Sequence, residues 1–372
     1  MNIGVPKETH PGEKRVPLIP PSVDRLVKKG AQITIENGLG TTIGISDEEY
    51  KKAGASVTSN RKTLLGAADL VLRLRKPPLE EISQLKSGSL HVSFLDPFND
   101  RSLVEELAKK NISAVSMGMI PRSTRAQKMD ALSSQANLAG YVAVILAAER
   151  LNKIFPMLTT PAGTIMPTRV FIIGAGVAGL QAIATAKRLG ARVDVFDTRP
   201  VVKEQVQSLG ARFVEIDLGE TGQTKDGYAK ALTPEQLEIQ RRGMAKACSQ
   251  SDVVITTAQL FGRKAPIILT KEMIAQMKHG SIVVDLAVES GGNVEGSRLN
   301  EEVDIKGVRI IGLGNLPGRV AAHASQMYSN NLCAFVEEFW DKEQKNFRLK
   351  LDDEIIKSTL VTHNGKVLIH TS

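Results

Sequence analysis

The sequence predicts an α/β protein built from two Rossmann-like domains with parallel sheets, joined by long helices and separated by a cleft. Short apolar strands alternate with helices in both halves, which is typical of a parallel sheet. A glycine-rich turn joins a strand to a helix in the second half, and two long apolar helices are predicted over residues 134–152 and 319–342. The predicted domains are therefore residues 1–132 with 322–372, and residues 133–321. A chain of 372 residues with 42% hydrophobic content can bury two cores.

The first half contains five predicted strands, at residues 3–5, 32–36, 70–74, 90–94 and 114–117. Helices are predicted between them, including residues 21–29, which Gly30 ends, and residues 101–110. This half has no glycine-rich phosphate loop. Near the chain end, Asn364-Gly365 between apolar runs predicts a β-hairpin with a type I′ turn.

The second half contains six predicted strands, as a doubly wound dinucleotide fold does, at residues 170–173, 193–196, 212–216, 253–257, 282–286 and 308–311. A long polar segment, residues 217–234, separates the third strand from the next helix. Long loops of this kind inside compact domains are usually lids or disordered insertions. Tyr228 is the aromatic residue of this segment and is a candidate for closing over a bound cofactor; the alternative is a solvent-exposed bystander.

The glycine turn of the second half is the most informative motif. Gly174, Gly176 and Gly179 follow the run Val-Phe-Ile-Ile and open an Ala-rich helix. The first glycine permits a tight turn, the second lets the backbone approach a pyrophosphate, and the third lets helix and strand pack closely. The pyrophosphate would lie at the positive end of the helix. Strand, helix and spacing together predict a dinucleotide site.

Asp197 ends the second predicted strand of this half, 23 positions after Gly174 (197 − 174). A carboxylate at this place accepts hydrogen bonds from an adenosine ribose and repels a 2′-phosphate, which favours NAD over NADP. Arg199 lies close by in sequence and is a candidate phosphate partner, so the preference stays open. Asp197 as an ordinary acid at a strand end is the other alternative.

Composition excludes several other classes of protein. The net charge is +8, but Lys and Arg are scattered and aromatic residues make up 4% of the chain, so no nucleic acid is expected as a partner. The start lacks a signal-peptide pattern, and the apolar stretch 139–148 is about half of the roughly 20 residues that span a bilayer. Cys248 and Cys333 are far apart without metal-ligand spacing, which predicts a soluble protein of a reducing cytoplasm with two inert thiols and no metal site.

Residues for proton transfer are hard to find, because the six histidines fall in loops, in the tail hairpin, inside a strand or at a helix start. A polar cluster stands out instead at residues 121–134, at the predicted domain junction. Arg122, Gln127, Asp130 and Ser133 can hydrogen-bond a carboxamide and a ribose, and so can orient a nicotinamide ring. Asp130 and Ser133 as helix caps are the alternative.

These motifs resemble those of the soluble NAD(H)-binding component of proton-translocating nicotinamide nucleotide transhydrogenase. The resemblance runs from end to end through Pro6-Lys-Glu8 with Gly12 and Arg15-Val16, the core Arg-Ala-Gln-x-Met-Asp-x-Leu-Ser-Ser-Gln, residues 174–190, Asp285-Leu-Ala-Val-Glu289 with Gly291-Gly292-Asn293, and Gly227-Tyr228-Ala-Lys. Alanine dehydrogenase, a sister family, shares the fold and the Arg15 region. It uses a lysine and a histidine where this sequence has Arg75 and Asp96, which argues against amino-acid oxidation.

The resemblance implies site residues in both halves. Around the nicotinamide it implies Arg122, Ser123, Thr124, Gln127, Asp130 and Ser133. At the pyrophosphate it implies Val177 beside the glycines, and at the adenosine ribose Asp197, Thr198 and Arg199. Gly227 and Tyr228 would belong to the mobile loop that closes the site, and Gln259 is expected among the cofactor contacts. Arg122, Gln127, Asp130, Ser133 and Tyr228 form the expected catalytic set.

The resemblance also implies a reaction and partners. Hydride would pass directly between two nicotinamides, so the protein need only position the rings. The glycine cluster at residues 312–318 has its third glycine one place late and is interpreted as a turn, so NADP(H) is expected on a partner beta subunit. A membrane-embedded subunit, a homodimer and a peripheral place on the cytoplasmic face of the membrane are expected with it. An alanine dehydrogenase-like oxidoreductase and an NAD-binding regulator remain the alternatives.

Overall fold

The computed structural model describes residues 1–219, 221–222, 232–259 and 262–369. The chain divides into two compact units, Met1–Gln135 with Gly318–Ser372, and Ala136–Pro317. Each unit has its own large sheet and its own buried apolar cluster. The fold is α/β with two Rossmann-like domains, as predicted.

The described strands, in chain order, are β1 (Asn2–Val5), β2 (Gln32–Glu36), β3 (Ser56–Thr58), β4 (Leu70–Arg75), β5 (Leu90–Phe94), β6 (Ser113–Ser116), β7 (Leu158–Thr160), β8 (Gly163–Ile165), β9 (Arg169–Ile173), β10 (Arg192–Phe196), β11 (Arg212–Phe213), β12 (Val253–Thr256), β13 (Ile282–Asp285), β14 (Glu301–Ile305), β15 (Val308–Gly312), β16 (Trp340–Asp341), β17 (Asn346–Phe347), β18 (Leu360–His363) and β19 (Lys366–Val367).

The described α-helices are α1 (Pro20–Lys28), α2 (Asp47–Lys52), α3 (Arg61–Ala67), α4 (Leu79–Ile82), α5 (Arg101–Lys109), α6 (Ala131–Arg150), α7 (Val177–Arg188), α8 (Lys203–Ser208), α9 (Pro234–Gln250), α10 (Lys271–Ala275), α11 (Ala321–Glu338) and α12 (Glu354–Thr359). Short 3₁₀ helices lie at Thr41–Ile43, Met117–Met119, Gln127–Met129, Pro200–Val202, Val288–Ser290 and Leu316–Val320.

The first unit holds an eight-stranded sheet in the order β19-β18-β6-β5-β4-β1-β2-β3. Strands β1 to β6 are parallel and follow the doubly wound order 3-2-1-4-5-6. Contrary to the prediction of a purely parallel sheet, β18 runs antiparallel to β6, because the chain returns to this unit near its end and forms the predicted hairpin with β19. β3 has three residues and was not predicted, since so short a run shows no alternation.

The second unit holds a seven-stranded sheet in the order β11-β10-β9-β12-β13-β15-β14. The six predicted strands again lie in the order 3-2-1-4-5-6 and are parallel. The unpredicted strand β14 runs antiparallel to β15 at the edge, so this sheet is also mixed. β14 is polar and half exposed, which concealed it from an apolar pattern. The hairpin β7–β8 was not predicted either, and all its residues are exposed.

Helix α6 carries the chain from the first unit into the second. By length and composition it passes the criteria for a membrane span, and 44% of its most apolar window is buried. Buried helices of globular proteins pass the same criteria. The predicted helix 319–342 is shorter in the structure, because α11 ends at Glu338 and the chain turns into the small hairpin β16–β17.

Candidate functional site

The glycine turn lies at the carboxyl end of β9, between the neighbouring strands β10 and β12. This is the point where the strand order of the second sheet reverses, and open α/β sheets bind ligands there. Gly174 has φ +100°, and its N–H donates to Phe196 O at 2.8 Å. A Cβ at Gly174 would lie 2.5 Å from Thr257 Oγ1. Only glycine fits this turn without displacing its neighbours.

Gly179 and Gly176 need glycine for different reasons. A Cβ at Gly179 would lie 1.9 Å from Gly174 O, a backbone atom, so Gly179 permits the contact between α7 and the turn. A Cβ at Gly176 would meet no described atom within 4 Å, and the φ of Gly176 is −77°, which any residue adopts. Protein packing therefore does not require a glycine at position 176. The close approach of a bound group is the remaining physical reason, which fits a pyrophosphate.

Helix α7 begins at Val177 with Gly176 as its N-cap, and no side chain caps it. Its first N–H groups are thus available to an anion, and the helix dipole favours negative charge there. Gly140 of α6 supports this end of α7, since a Cβ at Gly140 would lie 2.1 Å from Ala178 O. This close helix contact was not predicted; a small residue facing the glycine turn is a signal too weak to find from sequence alone.

Asp197 is 9% exposed and lies beside the glycine turn. Its Oδ2 accepts a hydrogen bond from Ala175 N at 2.7 Å, so the carboxylate is tied to the turn itself. Arg199 donates from N and Nε to Oδ1 at 2.8 and 2.9 Å, and from Nη2 to Oδ2 at 2.8 Å. The hydrogen bonds to Asp197 raise the pKa of Arg199. The acid expected at the ribose is therefore already charge-compensated by the arginine next to it.

Two other predicted cofactor residues border this place. Thr198 is half-buried, and its carbonyl accepts a hydrogen bond from Thr221 Oγ1 at 2.7 Å. Gln259 follows β12, is exposed, and donates from Nε2 to Leu286 O at 3.1 Å. Gly227 and Tyr228 lie outside the described residues.

The predicted nicotinamide residues all belong to the first unit. Arg122, Thr124 and Gln127 are exposed. Ser123 is half-buried and donates to Glu354 Oε1 at 3.4 Å. The segment that carries these residues is anchored beneath, because Ala126 and Met129 are buried in the apolar cluster of this unit.

Asp130 and Ser133 form the start of α6. Asp130 Oδ1 accepts from Ser133 N at 2.9 Å, and Oδ2 accepts from Ser133 Oγ at 2.6 Å. This is the hydrogen bonding of an N-cap residue, so the capping role that the sequence left open is present. Capping does not decide whether the same side chains also contact a cofactor, and that role stays a prediction.

A charged network in the first unit was not predicted. Glu13, whose side chain is fully buried, accepts hydrogen bonds from Arg15 Nε at 2.8 Å, Arg15 Nη2 at 2.7 Å and Arg75 Nε at 2.8 Å. Arg15 Nη1 also donates to Gln135 Oε1 at 2.8 Å. Burial alone would raise the pKa of Glu13, but the hydrogen bonds and charges of Arg15 and Arg75 outweigh it and lower the pKa to about 2. A buried acid two residues before a buried arginine was the available signal.

This network lies at the reversal point of the first sheet, since Glu13 and Arg15 follow β1 and Arg75 ends β4. Glu8, on the same segment, accepts from Leu74 N at 2.7 Å, and burial raises the pKa of Glu8. Asp96 follows β5 with φ +49° and accepts from Asn99 Nδ2 at 2.8 Å. The place where the glycine turn lies in the second unit is therefore filled here by the protein's own charged side chains.

His91 is fully buried inside β5 and contacts Ser93 Oγ at 3.2 Å. Burial, with a smaller contribution from the charge of Arg73, lowers the pKa of His91 to about 3. The imidazole is thus neutral at physiological pH and has a structural role.

Fold and site together define a class: an α/β protein of two doubly wound units, the second of which carries a dinucleotide-type glycine turn with an acid at the next strand end. Comparison with known proteins narrows this class. Residues 4–139 match the family "Alanine dehydrogenase/PNT, N-terminal domain" and residues 143–370 match "Alanine dehydrogenase/PNT, C-terminal domain". The chain therefore belongs to the alanine dehydrogenase/PNT family.

Individual relatives fall on both sides of this family. The chain is 43% identical over 375 residues to an NAD(P) transhydrogenase alpha subunit of Rhodospirillum rubrum, covering 99% of this chain and 98% of the relative. It superposes on the transhydrogenase from Sinorhizobium meliloti with a TM-score of 0.89 at 42% identity, covering 99% and 100%. An L-alanine dehydrogenase structure gives a TM-score of 0.82 at 25% identity, covering 99% and 97%. These matches confirm the resemblance to transhydrogenase, with alanine dehydrogenase as the related family.

Proposed function

We propose that this chain is the NAD(H)-binding component of a proton-translocating nicotinamide nucleotide transhydrogenase. The observation that carries the proposal is its likeness over nearly full length to the transhydrogenase alpha subunit of Rhodospirillum rubrum, at 43% identity. Its identity to the alanine dehydrogenase structure is 25%. The glycine turn and Asp197 support NAD(H) as the bound nucleotide, because Gly176 needs no glycine for packing and Asp197 carries the carboxylate that a ribose diol binds.

In this proposal the second unit holds the adenosine and pyrophosphate. Gly174, Gly176, Val177 and Gly179 form the pyrophosphate cradle at the start of α7. Asp197, Thr198 and Arg199 surround the ribose, and Gln259 contributes from the end of β12. Gly227 and Tyr228 close the loop over the cofactor.

The first unit supplies the nicotinamide contacts through Arg122, Ser123, Thr124, Gln127, Asp130 and Ser133. The dinucleotide supplies a hydride, and the task of these side chains is to orient its ring toward a second nicotinamide. A direct transfer between two nicotinamides needs no acid or base. The lowered pKa of His91 supports this, since the buried imidazole does not donate a proton at neutral pH.

The NADP(H) is held by a partner beta subunit, and a membrane-embedded subunit couples transfer to proton translocation. The chain acts as a homodimer, peripheral on the cytoplasmic face of the membrane. The alternative, an alanine dehydrogenase-like oxidoreductase, is opposed by Arg75 and Asp96 at the places of a lysine and a histidine. Arg75 is bound to Glu13 at 2.8 Å, so its charge is engaged within the protein.

Reconstitution tests the proposal. The purified chain is mixed with a purified NADP(H)-binding transhydrogenase subunit, and hydride transfer from NADH to an NADP⁺ analogue with a distinct absorbance is followed, with each protein alone as a control. We expect transfer only in the mixture. NADH binding without transfer would overturn the transhydrogenase assignment. NADH formation from NAD⁺ and alanine by the chain alone would instead establish the dehydrogenase alternative.

A further inference from the structure

The loop after β13 carries the motif Asp285-Leu-Ala-Val-Glu289 with Gly291-Gly292-Asn293, to which the proposed function assigns no role. Asp285 is fully buried at the end of β13. Its Oδ1 accepts hydrogen bonds from Ala287 N at 3.0 Å and from Asn293 N at 3.1 Å. Oδ2 also accepts from Asn293 N at 3.1 Å. The carboxylate therefore folds the loop back onto the strand that precedes it.

Gly292 makes this closure sterically feasible. Its φ is +82°, and a Cβ at this position would lie 2.8 Å from Asp285 Oδ2. A side chain at position 292 would therefore be strained by the backbone and would press on the carboxylate. The loop holds Asn293 at a defined distance from β13.

The amide of Asn293, also fully buried, contacts the segment after the neighbouring strand β12. Asn293 Oδ1 accepts from Ala258 N at 3.0 Å, and Nδ2 donates to Ala258 O at 2.8 Å and to Pro266 O at 2.9 Å. One side chain thus binds both backbone groups of Ala258. The position of Ala258 follows that of Asn293.

Thr257, next to Ala258, contacts the glycine turn directly. Thr257 N donates to Ile173 O at 2.9 Å, and Thr257 Oγ1 donates to Gly174 O at 3.1 Å. A continuous set of contacts therefore runs from Asp285 through Asn293, Ala258 and Thr257 to the turn at Gly174. All of it lies at the carboxyl edge of the second sheet, on the strands that flank the point where the strand order reverses.

We infer that Asn293, held by Asp285, is a positioning residue for the dinucleotide site. It fixes Thr257 and Ala258 against the glycine turn, and so keeps the turn in the conformation that receives a pyrophosphate. Asn293 acts through the backbone of Ala258 and through Thr257, and not by contact with the nucleotide. The inference rests on the proposed binding of NAD(H) to the second unit.

The test compares Asn293→Ala with a matched control, Asp252→Asn, in the full chain. Asp252 is also buried, and it accepts from Arg169 N at 2.9 Å and Lys153 Nζ at 2.7 Å at the opposite edge of the same sheet. We expect both variants to lower the melting temperature, because each loses buried hydrogen bonds. NADH titrations followed by fluorescence should give a Kd raised at least about tenfold for Asn293→Ala and within about twofold for Asp252→Asn.

A double-variant comparison tests the route. Thr257→Val keeps the side-chain shape and removes the hydrogen bond to Gly174 O. If Asn293 acts through this segment, the double variant raises Kd by less than the product of the single effects, since contacting residues are not additive. If Asn293→Ala does not fold, Thr257→Val alone carries the comparison with Asp252→Asn.

Three results would overturn the inference. Asn293→Ala that binds NADH as the unsubstituted chain does, while its melting temperature falls like that of Asp252→Asn, would make Asn293 merely structural. Independent effects in the double variant would refute the route through Thr257. An unsubstituted chain that binds no NADH would overturn the proposed function and this inference with it, and is distinguished by that measurement alone.

Discussion

Replacing Asp197 by Ser is expected to change the choice between NAD(H) and NADP(H). In the structure the carboxylate accepts one hydrogen bond from Ala175 N and three from Arg199. The substitution removes the ribose acceptor and leaves the Arg199 guanidinium without its carboxylate partner. The same arginine then becomes available to a 2′-phosphate.

The magnitude follows from two contributions. Hydrogen bonds to a charged acceptor are worth roughly 1.5–3 kcal/mol, so NADH binding should weaken by about 10- to 100-fold. A carboxylate about 4 Å from a phosphate charge costs about 4 kcal/mol at an effective dielectric constant of 20. Arg199 already compensates part of this charge, so we expect NADPH binding to gain about tenfold. The ratio of the two dissociation constants should then shift by about 10²- to 10³-fold.

The assay is a pair of fluorescence titrations with NADH and NADPH. Asp194→Ser is the matched control, because Asp194 lies on the same strand and is paired with an arginine in the same way, through Arg212 Nε at 2.8 Å and Nη2 at 2.7 Å. The control should keep the ratio of dissociation constants. An unchanged ratio in Asp197→Ser would refute the role of Asp197, and a gain in NADPH affinity that survives Arg199→Ala would refute the role of Arg199.

Two further predictions concern the glycine turn and the buried network. Gly176→Ala should keep the melting temperature within about 2 °C but abolish NADH binding, because its Cβ meets no described atom, whereas Gly179→Ala should lose both, since its Cβ would lie 1.9 Å from Gly174 O; equal melting temperatures for the two would contradict the steric argument. The carboxyl of Glu13 has its pKa lowered from 4.5 to about 2, so its contribution to the free energy of unfolding, roughly 3 kcal/mol, is present above pH 4.5 and is lost as the pH falls toward 2. Urea unfolding between pH 7 and 3 should show this acid loss, and Glu13→Gln should be less stable at pH 7 by roughly 3–5 kcal/mol and flatter toward acid; an equally steep acid dependence in the variant would contradict the assignment.

Much of the fold was predictable because parallel strands buried on both faces are continuous apolar runs. β9 and β12 were recognised in this way, and their order followed once the glycine turn identified the doubly wound pattern. β14 and the exposed hairpin β7–β8 were missed, since they lie at an edge or in solvent and carry no apolar pattern. Edge strands owe their place to hydrogen bonds with a neighbour, which a local sequence pattern does not contain.

The candidate site was predictable where a single position has a single physical task. Gly174 and Gly179 have the steric environments that their spacing implied, and Asp197 lies beside the turn. The partners of these residues were not predictable. The ion pair of Asp197 with Arg199 and the amide of Asn293 on Ala258 depend on side-chain directions and on contacts 35 residues apart in sequence.

The two units offer an internal comparison that bears on the reaction. Both sheets have the strand order 3-2-1-4-5-6, so both have a crevice where the order reverses. In the second unit a short glycine turn leaves the start of α7 uncapped. In the first unit Glu13, Arg15 and Arg75 lie at the equivalent place, bound to one another. This difference supports one nucleotide site per chain, and a hydride transfer between two nicotinamides then requires a second polypeptide to hold the other.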